Sequence, residues 1–63
     1  MTYAKAIKLL RDRMLITQTE LAKLLGTTQV SIYRWESGKY EPSFKAKRKL
    51  KEYFTQCKIN IEK

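Results

Sequence analysis

Residues 17–38 read TQTELAKLLGTTQVSIYRWESG, enough for two short helices and the turn between them. Thr17 stands three residues before Glu20, the spacing at which a hydroxyl takes an orphan amide of the first helical turn while the carboxylate reaches back to the cap. That pairing predicts a helix beginning at Thr17. Leu21, Ala22 and Leu25 follow Gln18 at three- and four-residue intervals, giving one apolar stripe. Gly26 stops the helix, because glycine enters left-handed backbone without steric cost. Thr27 or Thr28 caps a second helix on which Ile32 and Trp35 share a face, and Gly38 closes it. Helices this short are unstable alone in water, so they must pack on each other and on the flanking chain.

The flanks supply that packing. Upstream, Tyr3, Ile7, Leu10 and Met14 recur at a helical interval and predict a helix from Thr2 to about Arg13, with Thr2 as its cap. Lys5, Lys8, Asp12 and Arg13 fall on its wet side, while Met14 and Ile16 turn inward. Downstream, Pro42 disfavours helix in the residue before it, so 39–42 reads as a loop. Ser43 then caps a last helix. Ala46, Leu50, Phe54 with Tyr53, Cys57 and Ile61 follow a helical period, which predicts one helix over about 43–57.

Sixty-three residues allow one domain, spanning 1–63. A chain of this length buries only about 60% of its unfolded surface, so its stability is expected to be modest. The hydrophobic fraction of 43% argues against a disordered chain. No apolar run approaches the ~20 residues that span a bilayer, and no signal-like segment follows Met1, so a cytoplasmic protein is expected. Cys57 is the single cysteine and histidine is absent, which leaves neither an internal disulfide nor a plausible zinc set. No glycine-rich phosphate loop, nucleophile–base pair or other catalytic constellation is present, so the chain reads as a binding protein and not an enzyme. No cofactor, metal or small-molecule ligand is expected.

Fourteen basic against six acidic side chains leave a formal charge of +8, which points to an anionic partner. The distribution is uneven. Lys5, Lys8, Arg11 and Arg13 outweigh Asp12 before residue 17, and seven cations outweigh Glu52 and Glu62 after residue 43. Between 17 and 38, Lys23 and Arg34 balance Glu20 and Glu36. A neutral centre between basic flanks suits a protein that grips phosphates with its sides while its middle reads base edges.

The run TQTELAKLLGTTQVSIYRWESGKYEP, residues 17–42, resembles the helix-turn-helix of the phage Cro and CI repressors, the xenobiotic-response-element-like family. The features that carry the likeness are T-Q-x-E-L-A, the turn glycine, T-T-Q, the buried isoleucine, W-E-x-G-K and the E-P before the next helix. The resemblance implies an all-α fold: a small four- to five-helix bundle of the lambda-repressor-like DNA-binding type, with its helix-turn-helix at about 17–38. Two departures stand out. Leu15 occupies a helix end where the family commonly has glycine or a small polar residue, so an altered turn or an exposed leucine is expected there. The C-terminal segment lacks the glycine-broken short helix that often closes the family's domain, and that segment is a common dimer surface.

The resemblance also implies roles for side chains. The helix after the turn enters a major groove by its first turns. Gln29 can pair with N6 and N7 of adenine, Val30 falls off the buried stripe and suits a thymine methyl, and Arg34 can reach guanine or a phosphate. Thr28 can cap the helix and touch DNA at once, and Tyr33 is a weaker base or backbone contact. Gln18 and Lys39 match positions that hold phosphate. Trp35 completes the buried stripe. Arg11 and Glu36 match a pair that in some relatives joins the first and third helices and fixes the recognition helix.

The function implied is a sequence-specific double-stranded DNA-binding transcription regulator: a phage, plasmid or bacterial repressor on a near-palindromic operator, acting as a homodimer on DNA without a membrane partner. Two other readings are open on the residues. An antitoxin-like or anti-repressor module would use Leu15, Leu24 and the last helix against another protein, and 44–61 could lie on anionic lipid as a basic amphipathic helix.

Overall fold

Each helix starts on a hydroxyl. In the computed structural model, which describes residues 1–61, Thr2, Thr17, Thr28 and Ser43 are the N-caps of α1 (Tyr3–Met14), α2 (Gln18–Leu25), α3 (Gln29–Ser37) and α4 (Phe44–Gln56). Each cap oxygen accepts the backbone N–H three residues on, satisfying one of the donors a helix start leaves unpaired. At Thr17 the box is complete, because its own N–H donates to Glu20 Oε1 at 2.8 Å. Among the described residues the regular structure is four helices and no strand, so the expected bundle takes its smaller form and no fifth helix follows α4.

The helix ends show more variety. Gly26 and Gly38 close α2 and α3 in left-handed backbone, at φ 71° and 85°. Leu15 does the same for α1 at φ 57°, with its N–H on the Asp12 carbonyl and the Ile16 N–H on that of Arg11. This is the double hydrogen bond of a Schellman end, made on a residue that tolerates it poorly. The turn is therefore unaltered and the leucine is expelled, 87% exposed. Lys58 repeats the device after α4 at φ 59°, where the Ile59 N–H returns to the Phe54 carbonyl at 2.8 Å. The reversal buries Ile59 beside Phe54, a core residue that the helical period of α4 does not reveal.

The core is built from one stripe per helix. Ala6, Ile7 and Leu10 of α1 meet Leu21, Ala22 and Leu25 of α2, Ile32 and Trp35 of α3, and Ala46, Leu50 and Phe54 of α4. Tyr3, Met14 and Ile16 pack partly buried against this cluster. Helix α3 packs on α1 and α2, and α4 packs on the same two helices. With both supports shared, α3 keeps its far side in solvent.

Leu15 and Gly26 generate opposite predictions from the same geometry. Leu15→Gly removes the left-handed strain and gives up no buried surface, so it should stabilise the chain by about 1 kcal/mol. Gly26→Ala meets no atom within 4 Å yet adds that strain; it should cost about 1 kcal/mol. In a domain of this size each change corresponds to roughly 4–8 °C in thermal midpoint, read by circular dichroism melts.

Candidate nucleic-acid interface

Only a few side chains of α3 can reach outward, and its packing determines which. Ile32 and Trp35 point into the core, as their three-residue spacing requires, and Glu36 follows them to 6% exposure. Gln29, Val30, Tyr33 and Arg34 therefore lie in solvent, with Val30 51% exposed between two polar neighbours. Thr28 heads the same face. Its Oγ1 accepts the Ser31 N–H and lies 3.1 Å from the Ser31 hydroxyl, so Ser31 serves the helix start.

Beneath this face runs a chain of hydrogen bonds that links three helices. Arg11 of α1 grips the Glu36 carboxylate with two nitrogens, Nε to Oε2 at 2.6 Å and Nη2 to Oε1 at 3.0 Å. Gln18 of α2 donates its Nε2 to Glu36 Oε1 at 3.0 Å, and Gln29 of α3 donates to Gln18 Oε1. The proton count fixes the direction of every link. An ionised carboxylate only accepts, so Gln18 must turn its NH2 toward Glu36 and its carbonyl toward Gln29. Gln29 must then give one N–H to Gln18, which leaves its Oε1 and second N–H facing outward. An adjacent donor and acceptor is the pattern that adenine complements in the major groove.

The expected Arg11–Glu36 pair is thus formed, and it is bidentate. The hydrogen bonds that Arg11 donates to Glu36 raise its pKa above the ordinary value despite partial burial, so the guanidinium stays charged at any accessible pH. The link between Gln18 and Gln29 was not legible in the sequence, where eleven residues and a turn separate them. It changes the expected role of Gln18. Its side-chain amide is engaged inside the protein with one N–H to spare, while its backbone N–H, in the first turn of α2, keeps the orphan position at which an anion can bind.

At the far end of α3, the Arg34 guanidinium lies over the Tyr40 ring, 5.8 Å from its centroid. The contact is of cation–π type and holds the side chain near the loop after Gly38. Lys39 is exposed on that loop, its N–H on the Ser37 hydroxyl at 3.3 Å. Sequence reading gave Tyr40 no part. Only its place two residues past a left-handed glycine hints that it turns back toward α3. Leu24 is exposed on α2. Among the described residues no group of three or more histidine, cysteine, aspartate or glutamate side chains could hold a metal ion, and no helix is long and apolar enough to cross a membrane.

The ion pair yields an asymmetric prediction. Arg11→Met leaves a buried carboxylate with only Gln18 to face it and should destabilise the chain by about 3 kcal/mol. Glu36→Gln leaves a guanidinium that can turn to water and should cost less, with the double variant recovering part of the Arg11→Met loss. Urea titrations of the three variants measure the order.

Comparison with known proteins bears on the same elements. A family model described as helix-turn-helix matches residues 7–54, from the buried part of α1 to Phe54 of α4. An uncharacterized HTH-type transcriptional regulator of Methanocaldococcus jannaschii is 44% identical over 39 residues, a stretch that is 62% of this chain and 59% of that protein. No solved structure matches the chain. With the matched segment covering α2, the turn at Gly26 and α3 whole, the chain belongs to the helix-turn-helix family.

Proposed function

We propose that the chain is a sequence-specific double-stranded DNA-binding regulator that acts as a repressor, with α3 as its reading helix. The observation that supports this most is the exposed face of Thr28, Gln29, Val30, Tyr33 and Arg34, standing out from a helix whose other side is anchored by Ile32, Trp35 and Glu36. Gln29 presents one acceptor and one donor to adenine, Val30 offers a methyl-sized apolar contact to thymine, and Arg34 supplies a bidentate fork for guanine or phosphate. Tyr33 and Thr28 flank these contacts.

Phosphates are held around the reading face. The first-turn amide and spare side-chain N–H of Gln18 take one, Lys39 takes another, and Thr28 reaches the backbone from the helix start. Arg11, Glu36 and Trp35 act through α3 and not on DNA: they set its angle against α1 and the outward direction of the Gln29 amide. The surplus of +8 adds salt-dependent affinity for any duplex.

One module of this size covers few base pairs. Pairing as a homodimer on half-sites about one helical turn, ~34 Å, apart supplies the remaining affinity and reads a near-palindromic operator. The site of action is the cytoplasm, where occupancy of the operator follows the concentration of the protein.

Binding to a site recovered by selection from random duplexes tests these roles. Gln29→Ala and Arg34→Ala should each cost about 1–3 kcal/mol on that site and little on random DNA. Lys39→Ala should weaken both, and should lower the slope of log affinity against log salt by about 1. Equal losses on both duplexes from the α3 variants would mean that they hold the backbone and do not read sequence.

A further inference from the structure

We propose that the groove between α4, the first residues of the chain and the tail after Lys58 binds an acidic, amphipathic segment of a partner protein. The groove encloses about 800 Å³, and no residue of α2 or α3 lines it, so it is separate from the reading face. Its floor is apolar: Tyr3 and Phe54 face each other with ring centroids 6.4 Å apart, and Ile59 is buried beside them. At its lip Phe44 is 77% exposed and Met1 is half exposed. Three cations, Lys47, Arg48 and Lys51, border it. Among the described residues Glu41 is the one carboxylate in the lining and is held by Lys47 at 2.8 Å, and Arg48 and Lys51 engage no carboxylate.

Charge and shape together select the occupant. A second copy packed groove to groove would bring the Arg48 and Lys51 side chains of both chains together, and like charges across an interface oppose association. A nucleic-acid duplex, whose bases are already stacked inside, would meet the cations but leave Phe44 and Met1 in water. A lipid surface needs the apolar face of α4, yet Ala46, Leu50 and Phe54 are buried against the other helices, which overturns the reading of 44–61 as a surface-lying amphipathic helix. A helix with apolar side chains on one face and carboxylates beside them satisfies both halves of the groove. Arg48 and Lys51 follow Phe44 at i+4 and i+7, on the same side of α4, so one apolar anchor and two ion pairs fall along one line. The regulator thereby carries a protein-docking face while α3 is free for DNA.

The probe is a fluorescent synthetic helix with leucine on one face and glutamate on the others, titrated into the full chain by anisotropy, with a lysine-for-glutamate version as control. The expected result is saturable binding of the acidic helix, absent with the basic one, and weakened at least about tenfold by Phe44→Ser and by Arg48→Glu with Lys51→Glu. These side chains are exposed, and a melt of each variant checks that the fold is kept. Duplex binding by Phe44→Ser should match that of the parent chain. Loss of peptide binding in the charge variants but not in Phe44→Ser would reduce the groove to bulk charge and overturn the proposal, as would no binding at all. A concentration-dependent dimer, anionic-vesicle binding or duplex binding that is abolished by Phe44→Ser would assign the groove to a second copy, to lipid or to DNA instead.

Discussion

The Glu36 carboxylate is the point at which α1, α2 and α3 meet. Buried at the end of the Ile32–Trp35 stripe, it is shared by Arg11 from α1 and Gln18 from α2. A charge in that position contributes little net stability, because desolvation offsets most of the Coulomb gain. Its effect is directional. Helix α3 could slide or roll on an apolar stripe alone, since packing of Ile32 and Trp35 does not distinguish neighbouring registers sharply. A bidentate guanidinium and an amide, both aimed at one carboxylate, admit a single arrangement. Through Gln18 the same constraint extends to Gln29, the first residue of α3, so the interior and the proposed reading surface are linked by named hydrogen bonds.

Such a linkage matters more in a chain of this size than in a larger one. Sixty-three residues with no disulfide leave a single small core, in which Ile7, Leu10, Leu21, Ile32 and Leu50 are the largest fully buried side chains. Capping supports that core at every helix start, and left-handed closures end three helices, with a fourth such residue, Lys58, folding the tail back onto the core. Leu15 is the exception in chemistry but not in geometry. The turn between α1 and α2 is set by the requirement that Leu10 and Leu21 reach the same core, and the backbone accepts the strain of a leucine to meet it.

The division between what was and was not readable follows the range of the interactions. Caps, glycine stops and the apolar stripes of α1 to α4 act within a few residues and leave a periodic trace, so the helix limits at Thr17, Gly26 and Gly38 were legible, and the cap of α3 was narrowed to Thr27 or Thr28. The Arg11–Glu36 pair was reached by resemblance alone. Gln18 to Gln29, Arg34 over Tyr40, and the burial of Ile59 were not legible, because each depends on a chain reversal whose direction no local pattern encodes. Lys58 shows the reason plainly, since a lysine gives no sign that it will take the conformation usually left to glycine. Of the proposed site, the motif and the Ile32–Trp35 stripe indicate the residue types and the outward side, while the contacts that orient Gln29 and Arg34 are seen only in the structure.

The molecule is then two surfaces on one support. Helices α1 and α2 carry both α3, neutral in sum and polar at its tip, and α4, dense in lysine and arginine. In the proposed function a duplex is attracted by the total charge at long range and discriminated at short range by the exposed side chains of α3, a separation of steering from reading that fits the charge map of the chain. The measurement that tests this most directly is amide chemical-shift mapping by NMR as a selected duplex is added to the chain. The account predicts the largest changes at Gln18, at Thr28 through Arg34 and at Lys39, together with the side-chain amides of Gln18 and Gln29. Changes centred on α4 and the tail, with α3 unmoved, would contradict it.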